Sequence, residues 1–141
     1  MYIEGDDLKV VDKIRSTIGK WGGNYFTIDI TSEPKKIVSE WKKDGGKVVH
    51  LTMYGINVPE IIDNIRQLDN ILVIVGAEKV EGWYYHIADF NVAISNQPHS
   101  EVASLAIFLD RLYKGEQLNL IFGDSKISVI PTNGGKRVIH K

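Results

Sequence analysis

Asn96, Gln97, His99, Ser100 and Glu101 crowd around Pro98, just after the short apolar run Phe90 to Ile94. That run reads as a strand, and Pro98 is expected to open a periodic helix ending near Tyr113 before Gly115. A proline at the first helical position lacks an N–H where no intrahelical partner exists, and the other free amides of the turn point back at the elbow. The elbow Ser95-Asn96-Gln97 is therefore predicted to be rich in donors, as a backbone-lined ligand pocket requires. Two more loops follow apolar runs, Thr52 to Gly55 and Gly76 to Val80. Ligands of open α/β sheets bind beyond the carboxyl ends of strands, where all three loops are expected. Gly76 would let backbone approach a ligand, although glycine is also an ordinary turn residue.

Each polar side chain here has two readings. The Asn96 amide can donate to a ligand or act only as a helix cap. Glu78 is a ligand contact or a solvated turn acid. His99 handles RNA or a proton, or simply packs in a first helical turn. The four histidines, His50, His86, His99 and His140, lack i, i+4 ligand spacing, and the chain has no cysteine. A metal site is not expected, and disulfides, thiolate nucleophiles and cysteine-bound zinc are excluded.

Strand and helix signals alternate along the chain. Met1 to Ile3 reads as a strand end, followed by a helix capped by Asp6 or Asp7, with Val10, Val11, Ile14, Ile18 and Trp21 on one face. Tyr25 to Ile30 reads as a strand, and Ser32 and Pro34 open a second helix that stops at Gly45-Gly46. Lys47 to Leu51 is the next strand, then a helix from Asn57 and Pro59 through Leu68. Ile71 to Val75, wholly apolar, has the composition of a strand buried on both faces. A helical turn at Trp83 to Ile87, the strand at Phe90 and a polar tail with a short Ile127 to Ile130 strand complete the series. This is the pattern of an α/β fold, a parallel sheet with helices on both faces.

The 141 residues, 43% hydrophobic and 25% charged, suit one domain. No apolar run is long enough to span a membrane and no leader is evident, so a soluble, cytoplasmic protein is expected. A formal net charge of −1 requires any nucleic-acid partner to meet a local basic face. Lys35, Lys36, Lys42 and Lys43, or the tail residues Lys126, Lys136, Arg137, His140 and Lys141, offer such faces, though charge runs are commonly just solvated. Arg111 reads as a helix-face ion pair or a dimer contact.

Four segments carry a family resemblance: His50-Leu51-Thr52-Met53-Tyr54-Gly55, Val75 to Val80, Ala88-Asp89-Phe90-Asn91-Val92-Ala93-Ile94, and Asn96-Gln97-Pro98-His99-Ser100-Glu101-Val102-Ala103. In residues, order and spacing, they resemble the archaeal tRNA cytidine-56 ribose 2′-O-methyltransferases of the SPOUT superfamily, from the first residues to about Val138. The resemblance implies an S-adenosyl-L-methionine-dependent, homodimeric enzyme acting on tRNA, with a C-terminal deep trefoil knot, a rare exception to the rule that chains do not thread their own loops. Carried over residue by residue, it places the cofactor at Leu51, at Gly76, Ala77, Glu78, Lys79 and Val80, and at Ile94, Ser95, Asn96, Gln97, Pro98, His99, Ser100 and Glu101. Backbone groups would grip the adenosine while small and apolar side chains enclose it.

Members of that family open with a strand and with Gly-His-Arg, Arg-Asp-Lys-Arg and Thr-Thr-His-Val stretches that bring a catalytic arginine and the first helix. This sequence has no counterpart; Met1 falls at the expected second strand, and Glu81 and Ser95 stand where relatives carry Pro and Gly. The catalytic group is accordingly unassigned. These 141 residues alone are expected to methylate poorly or not at all where a product extended upstream of Met1 would methylate, and the rival reading is a non-catalytic cofactor- or RNA-binding module. A flavodoxin-like or receiver-like signalling domain fits the alternation but leaves the Asn-Gln-Pro-His block without a role.

Overall fold

The computed structural model describes residues 1–76 and 79–141. Ala77 and Glu78, two of the expected cofactor contacts, lie outside the described residues. The chain divides into two compact units, one of Met1–Pro34 with Leu120–Lys141 and one of Lys35–Asn119.

In the first unit, β1 (Tyr2–Glu4) leads to α1 (Leu8–Trp21), whose cap is Asp7: its carboxylate accepts the amides of Lys9 at 3.1 Å and Val10 at 3.4 Å. Val11 is the buried residue of α1, while Val10 and Trp21 of the predicted apolar face are exposed. Gly22, at φ +92°, ends the helix. The strand expected from Tyr25 shrinks to β2 (Asp29–Thr31), parallel to β1. The Asp124 carboxylate causes the difference. It takes the amides of Gly23 (3.0 Å) and Asn24 (2.9 Å), and Phe26 N–H closes a turn on Gly23, so this stretch is folded back rather than extended.

The second unit holds nearly all of α2 (Pro34–Lys43), then β3 (Lys47–Asn57), α3 (Val58–Ile65), β4 (Ile71–Val75), α4 (Gly82–Ile87), β5 (Phe90–Ala93) and α5 (Glu101–Tyr113), with a 3₁₀ turn at Glu116–Asn119. The three strands form a parallel sheet in the order β4-β3-β5. Val49, Leu51 and Val92 pack with Val58, Ile62 and Ile65 of α3 and with Phe108 of α5. Alternation sends Val48 and His50 to the opposite face. There His50 meets Tyr85 of α4, and Trp41 of α2 donates its ring N–H to the Lys47 carbonyl at 3.1 Å.

Three expectations need correction. Thr52 to Gly55 is not a loop; β3 runs on through it to Asn57 because pairing with β5 resumes there. The strand buried on both faces is the central β3, whereas β4 is an edge strand of half-buried residues: apolar composition does not reveal strand order. Helix α5 begins at Glu101 rather than Pro98, because the Ser100 hydroxyl accepts the Ala103 amide at 3.1 Å and fixes the start three residues later.

The chain closes in the first unit with an antiparallel hairpin, β6 (Ile127–Val129) and β7 (Val138–His140). Only its first strand is apparent in the sequence, since β7 is short, exposed and flanked by basic residues.

Candidate ligand cavity at the strand ends

Across β5, Val92 stands opposite both Leu51 and Ile56, so the four residues between them arch out of the ladder as a wide bulge. Asn96 holds that arch. Its amide N–H groups donate to the carbonyls of Met53 (2.7 Å) and Gly55 (3.2 Å), and its oxygen accepts from the Asn57 amide at 2.8 Å. Gly55 permits the close approach: a Cβ there would run into the backbone of Asn91 and Val92. At the foot of β5, Asp89 accepts the Val48 amide at 2.8 Å and the Lys42 ammonium at 3.0 Å, with Lys47 at 3.7 Å.

Beside the arch, at the carboxyl ends of β3 and β4, lies a cavity of about 220 Å³. Of the sequence-predicted residues it brings together Leu51, Gly76, Val80, Pro98, His99 and Glu101. The other described ones stand elsewhere. Asn96 has both its donors and its oxygen engaged by the arch, Ser100 caps α5, and Ser95 accepts the Gln97 amide at 3.2 Å. Ile94 packs against the core, and Lys79 and Gln97 are exposed. Gly76 lies against the Val80 side chain, so a Cβ at Gly76 would displace Val80, itself a wall of the cavity.

Thr52 and Tyr54, from the Thr52 to Gly55 segment expected at a ligand site, also line the cavity, as do His50 and Tyr85, which sequence reasoning did not single out for it. His50 is fully buried, with its ring edge-on to Tyr85 at 4.7 Å. Its Nδ1 lies 2.9 Å from the Asn91 Oδ1, and the Asn91 amide donates to the Tyr85 carbonyl at 2.9 Å. Burial pulls the imidazole below its ordinary value, and the Asn91 bond opposes this only in part. Thr52 donates to the Tyr85 hydroxyl at 3.3 Å, and Tyr54, 75% exposed on the arch, sits with its ring 6.4 Å from that of Tyr85. A histidine inside the apolar run Val48 to Leu51 was the available signal.

A larger hollow, about 440 Å³, lies between the carboxyl ends of α3 and α5, lined by Ile65, Arg66, Leu112 and Lys114 among others. Arg66 there donates to the carbonyls of Leu112 and Arg111, which suits helix C-termini. That end offers carbonyls rather than free amides, and it is remote from the strand ends where the motif residues converge. Two of the basic residues of α2 are held by carboxylates, Lys35 by Glu81 at 2.6 Å and Lys42 by Asp89. Among the described residues no cluster of three metal-ligating side chains occurs, and no helix is long and apolar enough to cross a membrane.

Residues 21–139 match the model of a family described as tRNA ribose 2′-O-methyltransferase, aTrm56. The chain is 68% identical over 140 residues to the tRNA (cytidine(56)-2′-O)-methyltransferase of Metallosphaera sedula, covering 99% of this chain and 80% of that protein. Proteins of the same name from Sulfurisphaera tokodaii (53% identical, 98% of this chain and 82% of the relative) and Saccharolobus solfataricus (55%, 99% and 89%) match along the same length. With a family match over most of its length and relatives at this identity, the chain belongs to the tRNA ribose 2′-O-methyltransferase family.

Proposed function

We propose that this protein transfers a methyl group from S-adenosyl-L-methionine to the ribose 2′-hydroxyl of cytidine 56 in the T-loop of tRNA, with the donor bound in the cavity at the ends of β3 and β4. The match to the family over residues 21–139 carries the reaction class. The cavity suits such a donor: Leu51, Val75, Val80 and Pro98 give apolar walls for a flat ring, Gly76 allows backbone approach, and a buried nitrogen of His50 with no partner among the described residues stands in the lining. When bound, the donor supplies an electrophilic methyl on a sulfonium.

The chain's own residues supply position. The arch stapled by Asn96 fixes Met53 and Tyr54 at the rim, and the exposed Tyr54 ring offers a stacking face to an unpaired base. His99 and Glu101 place polar groups on the wall formed by the start of α5. Holding donor and hydroxyl in line accounts for much of the acceleration of a methyl transfer.

The remaining expectations belong to the same reading. The parallel order β4-β3-β5, with the segment before α5 bonded through Asn96 to the arch of β3, supports a SPOUT-type knot in the second unit. On α5, Val102 is 81% exposed and Ala103, Ala106 and Ile107 are exposed beside it, an apolar stripe that favours a homodimer. The cytoplasm is the compartment where such a tRNA enzyme works.

Calorimetry with S-adenosylhomocysteine tests the site. Gly76→Val, which drives bulk into the cavity through Val80, should weaken binding by about tenfold or more while the variant stays folded. Unchanged affinity would move the donor elsewhere. Donor binding with no methyl transfer to unmodified tRNA would instead favour a non-catalytic binding module.

A further inference from the structure

The Nε2 of His50 is buried and has no hydrogen-bond partner among the described residues. Its neighbours fix what that nitrogen is. Asn91 spends its amide N–H on the Tyr85 carbonyl, so the Asn91 oxygen must face His50, and Nδ1 must carry the proton donated to it at 2.9 Å. Nε2 is then a bare lone pair. Burial keeps the ring neutral, and the edge-on Tyr85 ring holds it in place at 4.7 Å. A buried acceptor left unmade costs free energy, and such groups in folded proteins ordinarily meet a partner. Since His50 lines the cavity at the strand ends, the partner is sought there.

We propose that His50 is a positioning residue for the methyl donor, its Nε2 accepting a hydrogen bond from an amino or hydroxyl group of the donor's adenosyl portion. The proposal rests on the placement of the donor in this cavity. It gives the site a side-chain acceptor beside backbone contacts, and it gives the relay Tyr85–Asn91–His50 a purpose: the relay dictates which ring nitrogen is bare. Val75 and Val80 line the same cavity, beside the polar Thr52, Tyr85 and His99.

The test is a long-range proton–nitrogen correlation spectrum of the whole chain labelled with ¹⁵N-histidine, recorded as S-adenosylhomocysteine is added, with saturation fixed by calorimetry. The His50 Nε2 resonance should start at the position of an unprotonated ring nitrogen and move upfield on binding, while Nδ1 stays in place. His50→Gln, which retains an acceptor near Nε2, should bind within about threefold of wild type, and His50→Phe should lose about tenfold. Repeating the titration with S-inosylhomocysteine distinguishes the two sources: loss of the shift assigns the adenine amino group, and its retention assigns a ribose hydroxyl. Calorimetric saturation without movement of Nε2 overturns the role of His50 alone, as does movement on adding T-loop RNA in place of the nucleoside. Absence of any nucleoside binding overturns the donor site and this proposal with it.

Discussion

Asp89 and His50 both weaken the fold as pH falls, from different causes. Burial alone would raise the Asp89 carboxyl, but the Val48 amide and the Lys42 and Lys47 charges outweigh it, and the group sits below its ordinary 3.8. Its folded value being depressed, its contribution is present above the unfolded value and lost as pH falls through the lower folded one. His50 is depressed too, but here burial dominates: the unfolded chain takes up a proton near 6.5 while the folded ring stays neutral, so stability falls as pH drops from 6.5 toward the folded value. Urea midpoints should accordingly decline between about pH 7 and pH 5, and His50→Gln should flatten that decline; a wild-type profile already flat there would contradict the burial account. Asp89→Asn should cost about 1–3 kcal/mol in urea unfolding at pH 7, through the lost charge-assisted bonds to Lys42 and the weakened hold on Val48. Neither role was legible in the sequence. Each depends on a residue 41 positions away, across β3 and β5, and identity alone does not say which side chain will stand opposite.

Helices and strands were legible where local chemistry decides them. Asp7 before α1, Pro34 opening α2 and the stop of α2 ahead of Gly45-Gly46 each follow from short-range rules. The start of α5 was misplaced because two N-terminal signals compete there, Pro98 and Ser100, and the hydroxyl cap prevails. Ser100→Ala should therefore cost about 1 kcal/mol by thermal or urea unfolding, whereas Pro98→Ala should leave helix stability nearly unchanged. The arch of β3 was invisible for another reason: a bulge is defined by its partner strand, here Val92 facing both Leu51 and Ile56. Gly55→Ala forces a Cβ into the backbone of β5 and should destabilise by about 1–3 kcal/mol, with loss of amide protection at Asn91 and Val92 in hydrogen exchange. Full stability of that variant would show that the arch can relax. The cavity followed the same division. Leu51, the Thr52 to Gly55 segment and residues of the Gly76 and Pro98 segments that line it are expected at a ligand site from turns, strand ends and the family resemblance, while His50 and Tyr85, which reach it only through the packing of α4 on the sheet, are not.

At the scale of the molecule, alternation of strand and helix correctly indicated a parallel sheet with helices, and the resemblance of four segments indicated the family that the comparisons establish. Assembly follows from surface rather than from motif. The exposed α5 stripe should be buried in a twofold interface of at least about 1,200 Å² in total, giving a dimer by light scattering at micromolar concentration. Val102→Asp, placing a charge in the stripe, should shift the chain to monomer, and a wild-type monomer at that concentration would count against the dimer. The measurement that bears most directly on the central claim is the position of the transferred methyl group. Unmodified tRNA is incubated with the protein and methyl-labelled S-adenosyl-L-methionine, digested with nuclease, and the labelled nucleotide identified by mass spectrometry. The account predicts a single 2′-O-methylcytidine, at position 56, and none when that nucleotide is replaced by 2′-deoxycytidine; a label on a base, at another position, or still incorporated into the deoxy-substituted tRNA would contradict it.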